Sequence, residues 1–430
     1  MIRKILDIIK KSIWPYPFIY GVLSLLGSFF IILIDSGYFL DLQLHIPNIF
    51  FTDIDLARMI LGIVAASFIT ITTFTFSTTM IVLTMYMSQF SPRIVENFLT
   101  NKNTMQAFGI FVGGFIYSIT SLLFMRRDLI SEYLVISASI SIIYMIVGLV
   151  FFLIFINSVA NLIQVNNVIK NLYKNSLKNM VKYKDLIKTG SIISKIKVEK
   201  YRQLEVVFCQ QNGYIQYINH ENLLELAKDI QAVIVFEKVV GQFVADDTKL
   251  ISLYLRKNTE INETMVKKLL SCIIIGERKT EEQNFGFMIQ KIVEVALRAI
   301  SPGINDPHTA SHCIRILGIL LRQISDLENG YIVKKDEEDE NIMVVFKAFD
   351  FEKILYYTFS QLIHYAKEDV LVITSIFKAL RFAMEKASKE NRLIIITFSD
   401  YIWGKIVPEL SEGLDYKMLK HERDEIYLLK

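Results

Sequence analysis

Residues 59–92 read MILGIVAASFITITTFTFSTTMIVLTMYMSQFSP, and this stretch between Arg58 and Arg93 contains no Asp, Glu, Lys or Arg. About 20 apolar residues are enough to cross the hydrocarbon core of a bilayer as a helix. An uncharged run of 34 residues therefore predicts a membrane-spanning helix that is longer than the bilayer requires. This stretch decides the class of fold, because it places the chain in a membrane.

The same stretch carries a stripe of hydroxyl side chains. Six of them fall within a sector of roughly 60° on a helix: Thr70, Thr73, Ser77, Thr84, Ser88 and Ser91. They either bond their own i−4 carbonyls or a neighbouring helix, or they line a water-filled pore between several subunits, with Arg93 at its inner mouth. Since Thr75 and Thr79 lie on the opposite side, the helix is expected at the centre of the bundle or at an oligomer interface.

Three further uncharged stretches accompany this one, at 12–34, 104–125 and 133–169. Hydrophobic residues make up 52% of the chain and the mean hydropathy is +0.38. We therefore predict a polytopic α-helical membrane protein with four transmembrane helices in residues 1–169. The first stretch is longer than the apolar region of a signal peptide and is expected to be an uncleaved span.

The charges of the connecting segments predict the orientation. Residues 1–11 contain four basic side chains, the 93–103 turn contains two and the 170–188 segment contains six. By contrast, the 35–57 loop contains none, and the 126–132 turn contains two that Asp128 and Glu132 offset. Because Lys and Arg concentrate on the cytoplasmic side, both termini are predicted to be cytoplasmic. The expected location is the inner (plasma) membrane, with the lipid bilayer as a partner.

The second and fourth stretches exceed the thickness of the membrane. Helices of their length would extend about 50 Å against a hydrocarbon core of about 30 Å, so both are predicted to continue into the cytosol as helices. A basic stripe with a spacing of four follows the fourth stretch: Lys170, Lys174, Lys178 and Lys182. The stripe is either a solvated face or a contact with anionic lipid headgroups.

Small residues mark the third stretch as a packing helix. Gly109, Gly113 and Gly114 give it a face on which a neighbouring membrane helix can approach closely. None of the four apolar cores contains Asp, Glu, Lys or Arg, whereas proton-coupled transporters and voltage sensors normally carry such groups in the bilayer. A pathway, if present, is therefore predicted to be lined by hydroxyl and backbone groups.

The rest of the chain predicts a cytoplasmic α+β region. Residues 170–200 form a basic helical extension and linker, and residues 201–257 form a small β-rich module with the strands LEVVFC, GYIQYI and AVIVFEKVV. A short amphipathic helix is predicted at 220–230 within this module. Residues 258–430 are predicted as a helical domain, interrupted by a solvated acidic loop at 334–341.

The segment RAISPGINDPHTA, residues 298–310, combines a helix stop with a helix start. Asp306 can cap the second helix, with Pro307 in its first turn. Three interpretations are open: a structural turn, a metal site using His308 and His312, and a ligand or gating turn. The residues of the third interpretation are Arg298, Ser301, Asn305, Asp306 and His308.

Four segments together resemble a widespread bacterial family of predicted membrane proteins, domain of unknown function 2254. They are RAISPGINDPHTA, TFTFSTTMIVLTMYMSQFSPR, GYIQYIN and VVGQFV. A further segment, EEQNFGF, departs from the family pattern, since Asn284 stands where Asp is expected. The resemblance covers nearly the whole chain and implies four spans and a cytosolic domain, but no established activity.

Two functions of different classes fit these features. The first is a homo-oligomeric ion or small-solute channel regulated by its cytoplasmic domain; the alternative is a membrane-anchored sensor or scaffold whose cytoplasmic domain binds a metabolite, lipid or protein. No enzyme is expected, since the chain lacks G-x-S-x-G, H-E-x-x-H, Walker and CxxC patterns. The net charge of +3 gives no case for nucleic acid, and the three cysteines are predicted to be reduced thiols, without a metal or other cofactor.

Overall fold

The structure is a computed structural model that describes residues 14–36, 47–89, 102–125, 134–194, 196, 203–255, 261–410 and 413–430. The chain divides into two compact units, Met1–Val168 and Ile169–Lys430.

Four helices of the first unit are long and apolar enough to cross a membrane, as predicted. They are α1 (Pro15–Asp35), α2 (Ile54–Gln89), α3 (Lys102–Phe124) and α4 (Ser137–Ile163). Two short strands, β1 (Thr52–Asp53) and β2 (Leu134–Val135), pair antiparallel between them. Within this unit the central helix is α3, which packs against each of the other three.

Three glycines of α3 permit this central position. A Cβ on Gly109 would lie 2.5 Å from Cδ2 of Tyr20 on α1, and one on Gly113 would lie 2.6 Å from the Ser24 hydroxyl. A Cβ on Gly114 would overlap the ring of Phe68 on α2. Since real Cβ atoms do not approach other atoms this closely, α1 and α2 pack directly on the backbone of α3.

The fourth predicted helix does not continue unbroken beyond the membrane-spanning part. Helix α4 ends at Ile163, Gln164 is extended with ψ 115°, and α5 (Val165–Lys188) begins after it. The Asn167 side chain donates to the carbonyl of Asn161 at 2.9 Å and to Oε1 of Gln164 at 3.1 Å. Amides of this kind satisfy backbone groups at a helix end and so stabilise the interruption, which apolar length alone could not predict.

The second unit contains two sheets. The six-stranded sheet has the order β3 (Ser191–Ile193), β10 (Tyr331–Lys335), β11 (Met343–Lys347), β6 (Ala232–Phe236), β8 (Lys249–Leu255) and β4 (Gln203–Phe208). Strands β6 and β11 are parallel, and the other neighbours are antiparallel. The three-stranded antiparallel sheet has the order β7 (Phe243–Val244), β5 (Gly213–Ile218) and β9 (Ile273–Gly276).

Two of the helices pack against strands of these sheets, and the helices from residue 285 onward pack mainly against one another. The helices of the unit beyond α5 are α6 (His220–Ile230), α7 (Glu263–Ser271), α8 (Phe285–Ala299), α9 (Pro307–Ile324), α10 (Phe351–Ala366), α11 (Val370–Met384), α12 (Lys389–Ile406) and α13 (Leu414–Tyr427). All five residues of β6 are buried, because both faces of this strand are covered. Helix α6 spans the residues predicted for it, and it packs its apolar stripe into the same core.

Two segments differ from the sequence expectation. Residues 273–276 were expected to continue a helix but form strand β9, since the β-branched run Ile273–Ile275 pairs with β5. The acidic stretch 334–341 is the end and turn of the β10–β11 hairpin rather than a free loop. Asp336 is buried there, accepts from the Glu338 amide at 3.1 Å and pairs with Lys228.

His220 predicts a specific pH dependence of stability. Burial, and to a lesser extent Lys334, lower the pKa of this side chain from 6.5 to about 4, and its ring packs edge-on against Phe346. Below pH 6.5, His220 therefore binds a proton in the unfolded chain. In the folded chain the same side chain stays neutral until the pH approaches 4. Stability contributed by neutral His220 should fall as the pH drops from 6.5 towards 4, by about 3 kcal/mol in total.

This dependence is measurable as the thermal midpoint of the full chain in detergent at pH 7 and pH 4.5. The difference between the two midpoints should shrink in His220→Phe, which keeps a ring against Phe346 without a titrating group. An equal difference in both proteins would show that His220 does not titrate in this way.

Candidate functional site

The hydroxyl stripe of α2 lies on the outside of the bundle of one subunit. Thr70, Thr73, Ser77 and Thr84 are all exposed. The side chain of Ser88 is not described, and Ser91 and Arg93 lie outside the described residues. The described part of the stripe thus has no covering helix within its own subunit.

Most of these hydroxyls are bonded within α2. Thr70, Thr73 and Thr84 donate at 2.9 Å to the carbonyls of residues Ala66, Ile69 and Met80, respectively. This is the i−4 bonding that one interpretation of the stripe predicts. The Ser77 hydroxyl has no hydrogen bond to any residue that the structure describes.

The opposite face of α2 packs inside the subunit. Thr75 is 0% and Thr79 is 3% exposed, and they donate to the carbonyls of Ile71 and Thr75 at 2.7 and 2.8 Å. Among the described residues no helix covers the stripe, since α3 rather than α2 is central, and this face of α2 is open to lipid or to another copy of the chain.

A second set of polar groups lies inside the bundle, at positions that the hydropathy pattern does not distinguish from apolar ones. The hydroxyls of two buried residues, Thr104 and Ser118, have no partner among the described residues. Near one end of the bundle, the Asp35 carboxylate accepts from the amides of Ile136 at 2.9 Å and Ser137 at 3.3 Å. Asp35 therefore caps α4 from another helix, although the sequence places it in a loop.

The turn between α8 and α9 is closed by its own hydrogen bonds. The Asp306 carboxylate caps α9 by accepting from the Thr309 amide at 3.0 Å, and the Asp306 amide donates to the Ala299 carbonyl at 2.8 Å. Bonds from Thr309 hold the pKa of Asp306 below its usual value. Asn305 adopts φ +48°, a left-handed conformation that asparagine tolerates.

The other residues of this turn do not converge on one site. Arg298 and His308 are exposed, and the Ser301 hydroxyl donates to the Arg298 carbonyl at 2.7 Å. Asn305 borders a cavity of about 530 Å³ that also contains the carboxylates of Glu368 and Asp369. Two carboxylates disfavour an anion there, and Asp306 already occupies the N-terminus of α9.

The four lysines of the basic stripe are exposed on α5, opposite its buried residues Ile169, Leu172 and Met180. Among the described residues, no carboxylate lies within 4.0 Å of any of them. This arrangement fits both interpretations of the stripe, a solvated face and a contact with anionic headgroups.

Metal ligands and reactive thiols are not clustered in the described part of the chain. No group of three or more His, Cys, Asp or Glu side chains there could hold a metal ion. Cys209, Cys272 and Cys313 are free and buried, and burial raises the pKa of the Cys313 thiol to about 12.

The fold is that of a membrane protein in which four apolar helices are followed by a unit of mixed α and β structure. The family model described as "Predicted membrane protein (DUF2254)" matches residues 10–381, and the chain belongs to this family. Two relatives are uncharacterised proteins of Mycobacterium bovis and Mycobacterium tuberculosis, each 23% identical over 415 residues, which is 92% of this chain and 76% of the relative. No solved structure matches the chain.

Proposed function

We propose that the protein is an oligomeric ion or small-solute channel whose pathway is lined by the hydroxyl stripe of α2. The observation that supports this proposal is the exposure of Thr70, Thr73, Ser77 and Thr84 on the outside of a single subunit. Copies arranged around an axis would bring these stripes together and remove them from lipid. A ring of identical faces is the usual geometry of such an assembly.

The chemistry of the stripe suits a weakly polar pathway. A threonine hydroxyl that donates to its own helix keeps lone pairs that can accept from water or coordinate a cation. Ser77 can use both its proton and its oxygen, since it has no described partner. The described stripe contains no ionisable side chain. An ion in the pathway would therefore be coordinated by hydroxyl oxygens rather than by a side chain of opposite charge.

The second unit is the regulatory part in this proposal. In this proposal both termini, and hence this unit, lie on the cytoplasmic side of the inner membrane, which the distribution of basic residues supports. The basic stripe of α5 would then face anionic headgroups on the same side. Regulation would follow from ligand binding or rearrangement in the second unit.

Crosslinking between copies tests the assembly. With Ser77→Cys, a short bifunctional thiol reagent should join subunits in native membranes, and the three native cysteines should not compete because they are buried. Phe76→Cys is the matched control: Phe76 is also exposed, but it lies about 100° further round the helix. If Ser77→Cys yields no linked subunits, or no more than Phe76→Cys, the proposed assembly through the stripe is wrong.

The alternative function, a membrane-anchored sensor, is favoured by a cavity inside the second unit. This α8–α10 cavity has a volume of about 570 Å³ and is bordered by Phe243 of β7, Phe287 of α8 and Tyr357 of α10. Its size is within the range of small-molecule sites. Ligand binding there without any conductance would favour the sensor over the channel.

A further inference from the structure

Two of the segments by which the chain resembles its family meet at the α8–α10 cavity, together with the segment EEQNFGF that departs from the family pattern. Tyr214 belongs to GYIQYIN, Phe243 belongs to VVGQFV, and Asn284 and Phe287 belong to EEQNFGF; all four border the cavity. They are brought together by pairing of β5 with β7 and by the start of α8. Neither the hydroxyl stripe nor the α8–α9 turn involves these residues.

Asn284 borders the cavity, and a hydrogen bond holds its side chain in place. This side chain is 4% exposed, and its Oδ1 accepts from the Phe287 amide at 2.9 Å, which caps α8. Gly241, at φ +89°, lies so close that a Cβ there would overlap the Asn284 side-chain amide. Only glycine permits so short a distance to Asn284 at this positive φ. The turn before β7 therefore packs directly against the residue that caps α8.

The charges of the cavity favour an anion. Three lysines border it, Lys279, Lys347 and Lys353, against one carboxylate, Asp350, which pairs with Lys353 at 3.3 Å. Lys347 is exposed, and no carboxylate of a described residue lies within 4.0 Å of it. Helices α8 and α10 both begin at this cavity, where Asn284 caps the first and the Asp350 carboxylate caps the second, so the positive charge of the cavity comes from its lysines.

The aromatic side chains favour a ligand with a flat ring. Tyr214 and Phe243 pack edge to face at 5.2 Å, while Phe243 is still 56% exposed and Tyr357 is 62% exposed. Exposed aromatic side chains beside a cavity offer ring faces for stacking. A bound ring would cover apolar surface that otherwise meets water.

We infer that the α8–α10 cavity binds a nucleotide-class ligand, a small molecule that joins a flat ring to a phosphate. The ring lies among Tyr214, Phe243 and Tyr357, and the phosphate meets Lys347 and Lys279. Lys279 lies 5.6 Å from the centre of the Tyr214 ring, so the two halves of the site adjoin. The inference stands whether or not the protein conducts, because it requires only binding.

Gly286 supplies a blocking variant that the fold tolerates. A Cβ there would meet Asn284 Oδ1 at 3.5 Å and Phe349 Cε1 at 4.0 Å, both ordinary contacts with residues that border the cavity. Gly286→Leu should therefore place apolar atoms in the cavity from a Cβ that the neighbouring residues accommodate. Gly404→Leu on α12 is the control, because a Cβ at Gly404 has no atom within 4 Å.

The test is calorimetric titration of the full chain in detergent with flavin mononucleotide and the 5′-monophosphates of adenosine, guanosine, cytidine and uridine. At least one should bind with Kd below about 1 mM; Gly286→Leu and Lys347→Gln should each weaken it about tenfold or more, and Gly404→Leu should not. Absence of binding by every probe would overturn the inference, as would unchanged binding in Gly286→Leu. Equal affinity for inorganic phosphate alone would refute the role assigned to the aromatic side chains.

Discussion

Replacing Ser77 by leucine should reduce solute flux through the reconstituted protein by at least about tenfold, since an apolar constriction closes a pathway by excluding water. Ser77 lies in the middle of the described stripe, is exposed, and has no described hydrogen-bond partner. Leucine at position 77 breaks no hydrogen bond to a described residue, and the exposed position leaves room for its side chain. The measurement is the release of potassium, sodium and small organic solutes from liposomes that contain the purified protein.

The control for this experiment is Phe76→Leu on the adjacent position of α2. Phe76 is 54% exposed, but it lies away from the stripe, so flux should be unchanged. Thr75→Leu would be a poor control, because Thr75 is fully buried and a larger side chain would disturb packing. Unaltered flux in Ser77→Leu, or an equal loss in Phe76→Leu, would remove the stripe from the pathway.

Replacing Gly114 by leucine should destabilise the membrane unit by about 3 kcal/mol or more. A Cβ at this position overlaps the Phe68 ring, and Phe68 cannot retreat, because Gly148 holds it from the other side: a Cβ there would lie 2.7 Å from the same ring. Phe68 also packs edge-on against Tyr144 at 5.7 Å. The measurement is the thermal midpoint in detergent, together with the fraction that elutes as a single species in size-exclusion chromatography.

Gly27→Leu on α1 is the matched control for this prediction. It places the same side chain on a membrane helix, but a Cβ at Gly27 has no atom within 4 Å. Its thermal midpoint should stay close to that of the wild type. If Gly114→Leu is as stable as Gly27→Leu, α2 does not pack on α3 as described.

The existence of four membrane helices could be predicted from sequence, but their arrangement could not. Long uncharged runs identify helices that suit a bilayer, whereas hydropathy does not reveal which helix is surrounded by the others. The polar character of α2 suggested a place either at the centre of the bundle or at an oligomer interface; in the described bundle α3 holds the centre, because Gly109, Gly113 and Gly114 allow close approach. The capping of α4 by Asp35 could not be predicted either, because it depends on the amides of Ile136 and Ser137, which are distant in the sequence.

In the second unit, local patterns predicted individual elements better than their assembly. Strand β5 and helix α6 follow from alternation and from amphipathic spacing. The six-stranded sheet joins β6 to β11, which is more than 100 residues away in the chain, and no local pattern reports such a pairing. The α8–α10 cavity depends on these long-range contacts, so its residues could be recognised as motifs but not as one site.

The most direct test of the channel proposal is the aqueous accessibility of the stripe in native membranes. Thr70→Cys and Ser77→Cys should react rapidly with a hydrophilic, charged thiol reagent, whereas their neighbours Ile69→Cys and Phe76→Cys should react slowly. All four positions are exposed in one subunit, so only their surroundings in the membrane distinguish them. Rapid reaction at Thr70→Cys and Ser77→Cys alone is the predicted result; equally slow reaction at all four positions would place the stripe against lipid and contradict the proposal.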